Sequence, residues 1–319
     1  MAYYVNDGNV RRVRKGTQKN SAFSQRKKCG IRGNIITRGA RMRKKIVFIG
    51  GDERQTVAAE EFAKDGFDVR LFGCPGGNGR LESAETLSDA VADSVAAILP
   101  VPCSKDGKTV FAPFAEEPIR ADEVLSAAGA GTLLIGGGTK KLFPEAVDLL
   151  EREDFKILNA IPSAEGAVAV AVAETDITLN GAVCAVIGFG KIGKHLARLL
   201  AAFGADTAVT ARKPTDFAVA KALGLRVFHT SDAEKAVADA DIIFNTVPFA
   251  VADEKVLKAT KKQAVLIELA SAPGGIDAAA CERLGRKLVK APGLPGRFSP
   301  LSAGKTVYET VKNILDEPR

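Results

Sequence analysis

Gly181 to Pro214 reads GAVCAVIGFGKIGKHLARLLAAFGADTAVTARKP. Val183 to Ile187 are apolar, Gly188-Phe189-Gly190-Lys191-Ile192-Gly193 supplies G-x-G-x-x-G, and Lys194 to Phe203 keeps helical apolar spacing until Gly204 stops it. The pattern predicts strand, tight turn and helix. The first glycine permits the turn, the second admits a pyrophosphate against the backbone, and the third lets helix and strand pack closely, with the phosphates over the helix N-terminus. The glycine spacing alone is a weak signal in a chain with 31 glycines. With strand and helix on either side it predicts a dinucleotide site built on Gly188, Phe189, Gly190, Lys191, Ile192 and Gly193.

The second strand of that unit, Thr207 to Ala211, selects between cofactors. An NAD site places an acidic residue about 20 positions on, against the ribose hydroxyls. Ala211 stands there instead, followed by Arg212 and Lys213. Two cations without a carboxylate suit a 2′-phosphate, so the expected cofactor is NADP; the alternative is a solvated charged turn.

Outward from this unit, strands and helices alternate in both directions, which implies parallel sheets covered on both faces. Toward the C-terminus, strands are expected near Arg226 to Phe228, Ile242 to Asn245, Ala264 to Leu269 and Lys287 to Lys290, completing a Rossmann domain over 179–300. Each strand's carboxyl end opens onto a polar or Gly/Pro loop, the edge where open α/β sheets bind ligands. Thr246, Val247, Pro248 and Ser271, with the 291–296 loop, are placed there to meet the nicotinamide ribose and amide. Toward the N-terminus, strands are expected at Lys45 to Ile49, Phe67 to Phe72, Ser94 to Leu99, Thr132 to Ile135 and Phe155 to Leu158, with helices at Thr56 to Lys64 and Lys140 to Arg152. About five strands suit a flavodoxin-like domain over 42–178. Pro162 to Thr175, PSAEGAVAVAVAET, is apolar on several sides and reads as a buried connecting helix. A last helix, Leu301 to Leu315 within 301–319, either stays with the second domain or returns to the first. The expected fold is thus α/β, with two doubly wound parallel-sheet domains.

The 319-residue chain carries a net charge of +7, unevenly placed. Residues 1–41 hold eleven Lys or Arg and one acid, Asp7, a net of +10, so the rest carries −3. This basic stretch lacks apolar periodicity and reads as a disordered extension. It has neither the aromatic pattern of a nucleic-acid module nor the apolar core of a secretory signal. A start at Met42, just before the first strand, would leave it outside the native product. No apolar run approaches the ~18 residues of a membrane helix. The five cysteines, at 29, 74, 103, 184 and 281, follow no metal or disulfide spacing, which suggests reduced thiols, no metal and a cytoplasmic setting.

In the first domain, Arg54 after the first strand is placed to grip a substrate carboxylate, or to be a helix-start surface residue. Asp52 beside it caps the helix or pairs with Arg54, and the Gly50-Gly51 turn offers amides to an anion. Glu165, at the start of the connecting helix, is a candidate base, with helix-dipole compensation as the alternative; Glu268 at a strand end is a second. The only histidines are His195 and His229. His195 lies in the helix after the glycine turn, and His229 ends a strand beside the adenine side. Both read as structural. A late-loop imidazole of the hydroxy-acid dehydrogenase kind is missing, which argues against oxidation of a simple alcohol.

GGDERQ at 50–55, IPSAEG at 161–166, GFGKIG, NTVP at 245–248, ELASAPGGID at 268–277 and APGLPGRFSPLSAG at 291–304 together resemble the family of dipicolinate synthase A-subunits from spore-forming bacteria. The resemblance covers essentially all of residues 42–319. It implies oxidation of a dihydrodipicolinate-type ring to dipicolinate with NADP+ as hydride acceptor, in the mother cell, beside the flavoprotein-like B-subunit of dipicolinate synthase. The substrate is then a small dicarboxylate heterocycle, for which Gly51, Arg54, Ser163 and Arg297 are candidate contacts, and Glu165, Arg54 and Asp52 the candidate catalytic groups. The sequence departs from the family's pattern at Ala272 and Leu301, where members carry cations; Arg297, Arg54 or Lys305 would then take their part. A homo-oligomer is expected, without nucleic-acid or membrane partners. Two readings of other kinds stand beside this one: an NADP-binding scaffold protein, and a D-2-hydroxy acid dehydrogenase.

Overall fold

The computed structural model describes residues 44–318 apart from 77, 78, 80 and 130; the expectations for residues 1–41 and Met42 lie outside the described residues. The described residues build two parallel six-stranded sheets. The first contains β1 (Lys45–Ile49), α1 (Glu53–Lys64), β2 (Asp68–Phe72), β3 (Glu82–Ser83), α2 (Leu87–Val91), β4 (Ser94–Ile98), α3 (Ala121–Ala127), β5 (Leu133–Gly136) and β6 (Val147–Asp148). Its order is β3-β2-β1-β4-β5-β6. Without the two-residue edge strand β3, this is the flavodoxin-like order.

After α4 (Glu153–Glu174) the second sheet is built by β7 (Val183–Ile187), α5 (Lys191–Ala202), β8 (Asp206–Ala211), α6 (Pro214–Ala222), β9 (Arg226–His229), α7 (Ala233–Val237), β10 (Ile242–Asn245), α8 (Glu254–Ala259), β11 (Val265–Glu268), α9 (Ala278–Arg283) and β12 (Lys287–Lys290). The order β12-β11-β10-β7-β8-β9 is that of the Rossmann fold. Two helices follow: α10 (Leu294–Phe298) and α11 (Pro300–Asp316). Central strands are buried on both faces, as their continuous apolar runs require.

Residues 140–158 differ from expectation. Lys140 to Arg152 form no α-helix, and Phe155 to Leu158 form no strand. The Asp148 carboxylate accepts from the amides of Gly138 at 2.8 Å, Thr139 at 3.0 Å and Leu150 at 2.9 Å. That ties the segment into a loop, and Val147 pairs with Ile135 as the sixth strand. Phe155 to Leu158 are instead the first turns of α4, whose start carries Glu153 and Asp154 where the helix dipole favours acids. Phe155, Ala160, Ala164, Ala167 and Ala171 then keep one buried face along 22 residues. Pro162 sits inside, its missing N–H removing one helical bond. By length and composition α4 could cross a membrane, and 56% of that stretch is buried within the protein.

Helix α11 packs on the first sheet's side. Val307, Val311 and Ile314 join the cluster of Phe48, Phe62 and Val69, each such burial stabilising by about 1.5–3 kcal/mol. Tyr308 meets Phe62 edge-on at 4.9 Å between ring centroids, and its hydroxyl donates to Asp65 at 2.7 Å. Gly304 allows the close crossing: a methyl group there would stand 2.6 Å from Val57 Cβ.

Candidate functional site

The carboxyl ends of β7, β10 and β11 carry the glycine turn, Thr246 to Pro248 and Ser271. Gly188 has φ +97°, and its amide donates to Thr210 Oγ1 at 2.9 Å. A methyl at Gly193 would stand 2.2 Å from the Gly188 carbonyl oxygen, so helix α5 can approach β7 only without a side chain there. At Gly190, the helix N-cap, a methyl would meet no atom within 4 Å. Two glycines therefore answer to protein packing, and the middle one borders open space at a helix N-terminus, where orphan amides favour a phosphate. The residues fit a dinucleotide pyrophosphate.

The neighbouring candidates divide. Phe189 is buried in the second lobe's core, so its ring packs and only its backbone lines the turn. Ile192 is half-buried behind it. Lys191 pairs with Glu153 of α4 at 2.7 Å, and the Thr246 hydroxyl donates to Ile187 O at 3.0 Å. Val247 contacts the turn, while Pro248 and Ser271 are on the loops that follow β10 and β11. Arg212 and Lys213 are exposed directly after β8. Arg212 borders an open groove of about 520 Å³ that Phe217, Lys221 and His229 also line.

Glu268 is buried and fully engaged. Its carboxylate accepts from Asn245 Nδ2 at 2.8 Å and from the amides of Ala270 at 3.0 Å, Gly275 at 2.8 Å and Ile276 at 2.9 Å. Three of these bonds brace the 270–276 loop, and the fourth ties it to the end of β10. That loop's shape, rather than proton transfer, is what this carboxylate controls.

In the first lobe the structure corrects two assignments. Gly51 offers no amide to an anion, because its N–H donates to Phe111 O at 2.7 Å; the Gly50 amide is likewise held by Phe72 O at 2.8 Å. Ser163 is buried with its hydroxyl donating to Asn159 O at 2.7 Å, one turn back in α4. Asp52 caps α1 and takes Arg54 in a two-point ion pair, Nε to Oδ1 and Nη2 to Oδ2, both at 2.8 Å. Burial pushes the Asp52 carboxyl up, but the hydrogen bonds and charge of Arg54, with the charge of Lys105, more than offset this and hold it below the ordinary range.

Helix α10 reaches this pair. A methyl at Gly296 would stand 3.1 Å from both Arg54 Nε and Asp52 Oδ2, so α10 itself touches the turn after β1. Arg297 is exposed next to it, its guanidinium 5.3 Å from the Phe298 ring centroid. Gly166 of α4 receives α10 from the other side: a methyl there would be 2.8 Å from Leu294 Cβ. Glu165, adjacent, is exposed in the middle of α4 and not at a helix start, so dipole compensation does not explain it. His195 lies within α5, and His229 accepts from the Ser231 amide at 3.3 Å.

No spacing rule in the sequence marks one further cation. Lys105 Nζ stands 3.6 Å over the Phe111 ring, beside a recess of about 350 Å³ that also includes Thr109 and Pro113. Its charge reaches Asp52, and among the described residues it has no ion-pair partner. The bond from the Gly51 amide to Phe111 O, with Cys103 held to Gly137 O, brings this loop to the end of β1.

Two parallel α/β lobes, one bearing a glycine turn whose open side fits a dinucleotide, define an oxidoreductase with a nicotinamide-dinucleotide domain. Residues 165–291 match the D-isomer specific 2-hydroxyacid dehydrogenase, NAD binding domain, and residues 45–158 match the N-terminal domain of the dipicolinate synthase A-subunit. Over 287 residues the chain is 32% identical to the dipicolinate synthase A-subunit of Bacillus subtilis (strain 168), covering 86% of this chain and 96% of that protein. The chain belongs to the family of dipicolinate synthase A-subunits. Two crystal structures of such proteins are similar over most of the chain. That from Bacillus halodurans has a TM-score of 0.78 at 31% identity, covering 86% of this chain and 98% of its own; that from Bacillus subtilis has 0.75 at 31%, covering 85% and 95%.

Proposed function

We propose that this chain oxidises a dihydropyridine-2,6-dicarboxylate ring to pyridine-2,6-dicarboxylate with NADP+, alongside the B-subunit of dipicolinate synthase, in the cytoplasm of a sporulating cell. The observation that carries the reading is the first lobe: it matches a domain of the dipicolinate synthase A-subunit, whereas the dinucleotide lobe alone is common to many dehydrogenases. The missing acid at Ala211, with Arg212 and Lys213 following, supports NADP over NAD.

Bound NADP+ supplies a hydride acceptor at the nicotinamide ring. The glycine turn and the first turn of α5 hold the pyrophosphate, and Thr246 and Ser271 border the nicotinamide end. Lys105 and Arg297 bind the two substrate carboxylates, with Arg54 locked behind them by Asp52. Aromatisation removes one hydride and one proton from adjacent ring positions, and Glu165 accepts the proton. No imidazole is needed, because ring aromaticity supplies driving force that alcohol oxidation lacks.

The test is NADPH absorbance on mixing full-length chain, NADP+ and freshly generated dihydropyridine dicarboxylate, with and without the B-subunit. NADPH formed by the chain alone is the expected result. Tight NADP binding with no turnover, even when the B-subunit is present, would favour the scaffold reading.

A further inference from the structure

We propose that the groove between α6 and the end of β9 seats the 2′-phosphate of the dinucleotide, with Lys221 and His229 as ligands in addition to Arg212. The proposal rests on the NADP reading above and assigns residues that reading does not use. Strands β8 and β9 run parallel, with Ala211 opposite His229, so Arg212 and His229 leave the sheet side by side at its carboxyl edge. Helix α6 starts two residues after Arg212 and turns Phe217, Ala218 and, in its last turn, Lys221 toward the same space of about 520 Å³.

The charge of this groove is one-sided. Its lining contains no carboxylate. The one acid of α6, Asp216, is taken by Lys194 at 2.7 Å. Among the described residues neither Arg212 nor Lys221 has an ion-pair partner. A plain ribose hydroxyl would leave these cations facing water, whereas a phosphate dianion accepts from all of them.

His229 is held at one ring nitrogen and presents the other at the groove. Its Nδ1 accepts the Ser231 amide proton at 3.3 Å, and the Ser231 hydroxyl lies 2.8 Å from the same nitrogen. With Nδ1 engaged by Ser231, Nε2 is the ring nitrogen left to donate an N–H. That N–H belongs to the free edge of an exposed side chain that lines the groove. Ser231 is thus a positioning residue and His229 an N–H donor beside two cations.

Calorimetry on the full chain tests this with two probes, adenosine 2′,5′-bisphosphate and adenosine 5′-monophosphate. The wild-type chain is expected to prefer the bisphosphate. Lys221→Met and His229→Ala should each weaken the bisphosphate about tenfold, the scale of one charge-assisted hydrogen bond, and leave the monophosphate unchanged. His229→Gln, which can present an N–H at similar reach, should recover part of the loss. Equal binding of both probes by the wild type would defeat the NADP reading itself. A wild-type preference that survives both substitutions would overturn the present proposal alone. So would a parallel loss of both probes, which would assign these side chains to the adenosine or to the fold.

Discussion

Arg54 and Asp52 are joined through two parallel N–H···O bonds of 2.8 Å, and the guanidinium edge that would grip a substrate carboxylate is closed on a neighbour. The Arg54 side chain is only 11% exposed, so the pair acts as a fixed wedge under α10. Its pH dependence follows from Asp52. Burial raises this carboxyl's proton affinity, and the hydrogen bonds and charge of Arg54 with the charge of Lys105 together leave it below the ordinary range. A carboxyl depressed in the folded state stabilises above its unfolded value of about 3.9, and the contribution is lost as pH falls through the lower folded value. Asp52→Asn should therefore cost about 1–2 kcal/mol in urea unfolding at pH 7. The difference from wild type should shrink below pH ~4; a difference that stays constant down to pH ~3 would mean the Asp52 charge is not its source.

The glycine turn makes two opposite predictions. Gly193→Ala places a methyl 2.2 Å from Gly188 O, an overlap that must displace α5 from β7. A loss of about 1–3 kcal/mol in stability is expected, together with NADP binding. Gly190→Ala meets no protein atom within 4 Å, so the melting temperature should hold while NADP affinity falls at least tenfold through obstruction of the pyrophosphate. Unchanged NADP affinity in Gly190→Ala would put the pyrophosphate elsewhere.

Glu268 discriminates a brace from a base. Four N–H groups converge on its buried carboxylate, and removing it leaves them unsatisfied. Glu268→Ala should cost about 2–4 kcal/mol. Glu268→Gln should also destabilise, because one amide end presents hydrogens to donors. A catalytic base would show the reverse: Glu268→Gln stable but inactive.

Much of the fold is legible in the sequence because its decisive signals are local. Lys45–Ile49, Val183–Ile187, Ile242–Asn245 and Lys287–Lys290 form strands within the limits their composition implies: short runs ended by Gly, Asn or turn residues. Residues 140–158 are not legible, since clusters such as Leu142-Phe143 and Phe155 to Leu158 are too short to separate strand from helix by period. What decides them is distant: Asp148 binding amides ten residues back, and Val147 meeting Ile135. The candidate site divides the same way. The roles of Gly188, Gly190 and Gly193 follow from spacing, whereas the loss of the Gly51 amide to Phe111, sixty residues on, and the arrival of Lys105 with that loop depend on a contact no motif encodes.

Lys105 and Glu165 should separate binding from chemistry. Among the described residues Lys105 is an unpaired cation at the edge of β1, and a substrate with two carboxylates needs more positive charge than the engaged Arg54 offers. Lys105→Met should raise KM for the ring substrate about tenfold or more, the scale of a charged hydrogen bond, with kcat little changed and NADP affinity intact. Lys105→Arg should recover most of it. Glu165 is exposed beside the Gly166–Leu294 contact that joins α4 to α10, and Gln at this site keeps the shape while losing the proton acceptor. Glu165→Gln should lower kcat by about 10²-fold or more, as loss of a general base does, with KM nearly constant. If Glu165→Gln instead raises KM and leaves kcat alone, the side chain positions substrate, and solvent at the cleft takes the proton.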